Sequence, residues 1–117
     1  MLTLYGIPNC NTVKKARTWL DENGVAYTFH DFKKSDIDAA TIQQWLMQHP
    51  WEKLINRAGL TWRGLDDATK SSITDNTTAT ALMQAKTSVI KRPVLVKDSK
   101  VISLGFDENI YRETFKS

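Results

Sequence analysis

The sequence predicts an α/β fold, a mixed sheet interrupted by an all-helical insert, and three observations carry that expectation. A strand, a helix and a second strand follow one another within about the first thirty residues. The stretch from 36 to 88 reads as helix almost throughout. Two β-prone runs joined at hairpin length then precede a final helix.

Leu2 to Tyr5 is a short β-prone run that Gly6 closes, and Ile7-Pro8-Asn9-Cys10 is a tight loop. From Asn11 or Thr12 the pattern turns helical. Val13, Ala16 and Leu20 recur at three and four residues, Lys14, Lys15 and Arg17 fall between them, and Trp19 widens the stripe. Asn23-Gly24 stops this helix. Ala26 to Phe32 alternates as a second strand, with Tyr27, Phe29 and Asp31 on one side. A strand–helix–strand unit of this length implies parallel strands.

Within the insert, Asp38 caps a helix that carries Ile42, Trp45 and Leu46 inward and runs to about His49, before Pro50. Trp51 to Asn56 and Asp66 to Ile73 read as shorter helices, separated by Ala58-Gly59 and Arg63-Gly64 turns. Thr74 or Asp75 caps another through Leu82, Met83 and Ala85. The sheet resumes at Pro93, with Val94-Leu95-Val96 and Val101-Ile102-Ser103-Leu104 joined around Asp98-Ser99. The last helix begins at Asp107, with Phe106 and Tyr111 spaced for a hydrophobic staple. The order βαβ, insert, ββα is that of a thioredoxin-like fold: one domain over 1–117, with its core in 1–35 and 89–117 and its insert in 36–88.

Composition narrows the function. A chain of 117 residues, 41% hydrophobic, with four Trp, four Phe and three Tyr, can build one core without a metal or disulfide. Its sixteen Lys and Arg against thirteen Asp and Glu are scattered, which disfavours a nucleic-acid surface. No apolar run reaches bilayer length, and the N-terminal residues lack a signal-peptide pattern. A cytoplasmic monomer without membrane attachment is expected.

Cys10 is the sole cysteine, so an internal disulfide is impossible and any thiol chemistry must be completed by an external thiol. Its place at a strand–helix junction turns it toward the N–H groups of Asn11, Thr12 and Val13 and the positive end of the helix dipole, which favours a nucleophilic thiolate. Lys14 adds a positive charge one turn on. A buried filler role is the alternative, but Pro8, Asn9 and Asn11 are loop and cap residues. Arg92-Pro93 opens the third strand, where a proline without a donor belongs. In thioredoxin-like folds that proline is cis and lies beside the active cysteine. Arg92 there is either a carboxylate anchor or a solvated surface charge, and Pro93 can equally be a plain strand breaker. Arg57 and Arg63 are further candidate anion anchors within the insert. His30 and His49 have no zinc or triad spacing, so no metal site is expected.

Tyr5-Gly6-Ile7-Pro8-Asn9-Cys10, the Lys14-Lys15-Ala16-Arg17 helix, Leu54-Ile55-Asn56-Arg57 and Ile90-Lys91-Arg92-Pro93 together resemble the ArsC/Spx family over essentially the whole chain. Thr61-Trp62-Arg63 and Leu104-Gly105-Phe106 are most similar to its YffB-like branch of glutathione-dependent thiol reductases. The resemblance implies a thioredoxin-like fold with a helical insert and a Cys10 nucleophile resolved by glutathione, with glutaredoxin as a partner. It implies no tightly bound cofactor, glutathione being a co-substrate. Arsenate reductases of the family hold their oxyanion with three arginines. Arg92 matches one and Arg57 approximately another, while the third falls near Gly105. Only weak arsenate reduction is therefore expected, and Cys10 with Arg92, Pro93, Arg57, Asn11, Thr12 and Lys14 forms the expected site of a monothiol reductase. Spx relatives bind RNA polymerase and switch through a CxxC disulfide; Val13 removes that switch, leaving polymerase binding without one as the second reading.

Overall fold

In the computed structural model, which describes residues 1–116, β1 (Leu2–Gly6), β2 (Thr28–Asp31), β3 (Val94–Lys97) and β4 (Lys100–Leu104) form one sheet ordered β2-β1-β3-β4. The α-helices among the described residues are α1 (Asn11–Glu22), α2 (Phe32–Ser35), α3 (Ala39–Leu46), α4 (Trp51–Leu54), α5 (Leu60–Arg63), α6 (Asp67–Ser72), α7 (Asn76–Ala85) and α8 (Glu108–Phe115), with a 3-10 turn at Thr87–Val89. None is long and apolar enough to cross a membrane. The expected α/β architecture with a mixed sheet is present. β1 runs parallel to β2, with Thr3 opposite Thr28 and Gly6 opposite Asp31, and antiparallel to β3, with Tyr5 opposite Val94.

The chain divides into two compact units, one made of Met1–Ser35 with the chain from Arg92 onward, the other of Asp36–Lys91. The second unit extends three residues past the insert's expected end at 88. Asn56 N–H donates to the Val89 carbonyl (2.8 Å), Ile90 bridges Ile55, and Lys91 N–H donates to the Leu54 carbonyl (2.8 Å), so 89–91 are tied to α4's exit. In this unit α3 packs against α7. Asp38 caps α3 by accepting from Thr41 N–H, and Asp75 forms a reciprocal capping box with Thr78 at α7. Those hydrogen bonds from Thr78 hold the Asp75 carboxyl below its ordinary range. The sequence reading leaves α5 as two turns, yet Gly59 and Gly64 bracket a single helical turn there.

In the first unit Leu2 and Leu4 of β1 and Leu95 of β3 pack with Ala16 and Leu20 of α1 and Tyr111 of α8. Trp19 and Phe106 meet the Tyr111 ring edge-on, at 5.6 and 4.8 Å between centroids, so the expected staple around the Asp107 cap is formed. On the other sheet face Tyr5 stacks with His30 (4.8 Å) and Phe32 (6.2 Å), which gives His30 a packing role. β2 is shorter than the expected 26–32. Its pairing begins at Thr28, opposite Thr3 near the start of β1, and ends at Asp31, whose Oδ1 accepts from Lys33 N–H (2.9 Å) and turns the chain into α2. The Asp98-Ser99 hairpin turn has positive φ at both residues, 49° and 74°, the twist that suits a two-residue connection. The amino group of Met1 pairs with Asp98 and holds that carboxyl below its ordinary range.

Gly6 lies tight against α1. A Cβ there would lie 2.8 Å from Val13 Cγ2, and Val13 is fully buried. Gly6→Ala is therefore expected to cost about 1–3 kcal/mol, as overpacking does. Combined with Val13→Ala it costs less than the two single changes together, which urea denaturation will resolve.

Tyr111 is fully buried beside the Ser103 hydroxyl, and neither oxygen makes a well-formed hydrogen bond. Burial pushes the phenol up to about 12, with Ser103 opposing the shift in part. Because the folded value lies above the unfolded one of about 10, the neutral phenol favours the folded state fully below pH 10, and that contribution disappears as pH rises through 12. It amounts to about 2–3 kcal/mol. The expected result is a fall in urea midpoint between pH 10 and 12 that is smaller in Tyr111→Phe.

Candidate functional site

The strand register decides what gathers around Cys10. β1 ends at Gly6, the parallel β2 ends at Asp31 opposite it, and the antiparallel β3 begins at the Tyr5–Val94 pair, one residue short of that end. The loop 7–10, the start of α2 and the Arg92-Pro93 step thus emerge at the same end of the sheet. β4 arrives there too, and Gly105 N–H donates to the Pro93 carbonyl (2.9 Å).

Cys10 is the N-cap residue of α1. Its backbone is extended (φ −111°, ψ 126°), and its carbonyl accepts the first helical bond, from Lys14 N–H at 2.9 Å. Its side chain makes no capping bond, which Ser, Asp or Asn would make at this position. The thiol is half-buried, and the first turn of α1 holds no acidic residue to compete with a negative charge. Asn11, Thr12 and Lys14 follow as exposed residues of that turn, whose early N–H groups have no intrahelical acceptor. A helix N-terminus with exposed N–H groups and a first-turn lysine is suited to receive an anion.

Arg92 is half-buried and Pro93 buried, joined by a cis peptide bond. Gly105, the position at which the family resemblance leaves an arginine missing, has φ 80° and donates to the Pro93 carbonyl. A side chain there would strain the backbone, so this loop is built for glycine. Arg57 lies in the second unit, exposed, with its guanidinium 5.8 Å from the centre of the Trp51 ring. Arg63 is exposed at the end of α5.

Lys33 is absent from the sequence-derived site. Its Nζ donates to Asn9 Oδ1 at 3.3 Å, so an ammonium stands against the residue preceding Cys10. Topology holds part of the signal, since the chain leaving one strand of a parallel pair emerges beside the chain leaving the other, and the register of the pair holds the rest.

Residues 5–114 match the model of the ArsC family. A solved structure of the YffB (PA3664) protein is 46% identical, covers 97% of both chains and superposes with a TM-score of 0.90. That of an arsenate reductase (ArsC) related protein from Brucella melitensis is 47% identical over 99% of this chain and 95% of its own, with a TM-score of 0.77. Among curated proteins, the global transcriptional regulator Spx of Streptococcus agalactiae is 27% identical over 96% of this chain and 81% of its own length. With the family match spanning nearly all of the sequence, and with strand order and the Cys10 helix start as described, the chain belongs to the ArsC family.

Proposed function

We propose that the protein is a monothiol oxidoreductase that reduces disulfides through Cys10 and is turned over by glutathione. The observation that carries this reading is the placement of the only sulfur nucleophile at the extended N-cap of α1 with no capping bond of its own. The similarity to an arsenate reductase-related protein supports thiol-based chemistry in general. In the first step the Cys10 thiolate attacks one sulfur of a disulfide. A Cys10–substrate disulfide forms, and the other sulfur departs with the electron pair as a thiolate that solvent protonates. A glutathione thiolate then attacks the substrate sulfur of that mixed disulfide. It forms a glutathione–substrate disulfide and returns Cys10 as thiolate, so the reaction is a net exchange of thiol and disulfide. Arg92 anchors a carboxylate of the ligand, and the first-turn N–H groups with Lys14 attract a second anionic group.

Cys10→Ser is expected to abolish disulfide reduction, lowering turnover by at least about a thousand-fold, because a serine hydroxyl is not ionised near neutrality. Arg92→Ala is expected to raise KM for oxidised glutathione by about ten-fold or more with a smaller change in kcat, the loss of one charge-assisted contact, and Arg92→Lys recovers part of it. Alkylation of Cys10 at pH 7 should also run several-fold faster in the folded chain than in urea; equal rates with no glutathione adduct by mass analysis overturn the proposal.

Similarity to Spx favours a second reading, binding to RNA polymerase. Val13 is buried against Gly6, so position 13 serves the core and offers no second sulfur. Binding of this kind would carry no disulfide switch. Co-purification with the polymerase α subunit under reducing conditions tests it, and absence of the α subunit rejects it.

A further inference from the structure

A groove of about 520 Å³ runs along α1 away from Cys10. Asn11, Lys14, Thr18 and Glu22 form one wall, recurring at three and four residues along a single helical stripe. Trp19 and Phe106 supply its apolar surface, and Glu108 stands on the α8 side with its carboxylate 3.5 Å from Arg112. Along α1 the charges are ordered, with Lys14 and Lys15 in the turns nearest Cys10 and Glu22 at the far end, while the lining carboxylate of α8, Glu108, is taken up by Arg112.

From Asn11 to Glu22 the stripe measures about 16 Å at the rise of an α-helix. Glutathione joined to Cys10 through its own cysteine has one residue on either side of the sulfur, a reach of about 7 Å. It would leave the Trp19–Glu22 half of the groove uncovered. An extended polypeptide advances about 3.3 Å per residue, so about five residues would span it.

We propose that the disulfide reduced by Cys10 belongs to a polypeptide, docked in this groove with an acidic side chain on Lys14 and Lys15, an apolar one on Trp19 and Phe106, and a basic one toward Glu22. This rests on the proposed Cys10 reductase and names its substrate class; glutathione then serves as the releasing thiol. The Cys10 sulfur attacks the peptide cysteine's sulfur and displaces the group on the far side of the disulfide as a thiolate.

The test uses the full chain and two seven-residue peptides, each with a single terminal cysteine held as a mixed disulfide with thionitrobenzoate. One carries aspartate beside the cysteine, then leucine, then lysine; the other has aspartate and lysine exchanged, and both are made in each chain direction. Release of thionitrobenzoate should favour the aspartate-proximal peptide by about ten-fold or more, as charge-paired docking does. In Lys15→Glu/Glu22→Lys the preference should invert, which misfolding cannot produce. Reaction of wild type with oxidised glutathione but with both peptides at one rate overturns the docking proposal and leaves the Cys10 reading intact. A preference that the double variant leaves unchanged overturns it as well. No reaction with oxidised glutathione or either peptide removes both readings.

Discussion

The contact between Gly6 and Val13 is the constraint on which the site depends. β1 and α1 can approach this closely only because position 6 has no side chain, and the buried Val13 branches fill the space a Cβ would need. With strand end and helix start pinned together, the four residues 7–10 have little freedom in how they connect them. Cys10 therefore falls on the cap of α1, not inside it. Its sulfur position is set by packing three residues downstream, at the one place where backbone N–H groups of the helix lack acceptors.

Much of this was legible before any coordinates. The spacing of Val13, Ala16 and Leu20 announced the buried face of α1, and Asp38 and Asp107 announced two helix starts, because an Asx side chain ahead of an apolar stripe has one common use, while a third start was narrowed to Thr74 or Asp75 and lies at Asp75. Phe106 and Tyr111 were legible as a pair because the staple has a fixed five-residue spacing. The end of β2 was not, since alternation continued through Phe32 while pairing stopped at Asp31. α5 escaped notice because one turn between two glycines carries no periodicity. Lys33 was missed for the same reason as the end of β2: placing it beside Asn9 needs the register of the parallel pair, a long-range fact that local pattern does not encode.

The chemistry of the Cys10 end is mainly backbone chemistry. Gly105, held at φ 80° and hydrogen-bonded to the Pro93 carbonyl, occupies a place where a large charged side chain would be strained. A centre with fewer fixed guanidinium groups offers less enclosure for a small, highly charged oxyanion and more open surface for a longer ligand.

The order in which the sheet is assembled has a consequence for synthesis. β1 gains its parallel neighbour within the first 31 residues, but its other edge waits about sixty residues more for β3. At ribosomal speeds of about 5–20 residues per second, that edge stays open for several seconds, longer than a hairpin or helix takes to form. Asp98 lies in the β3–β4 turn, so its partner on β1's side waits for that turn to emerge. A nascent chain halted inside the insert would present one open edge of the strand Leu-Thr-Leu-Tyr-Gly to whatever chaperone or neighbouring chain can pair with it.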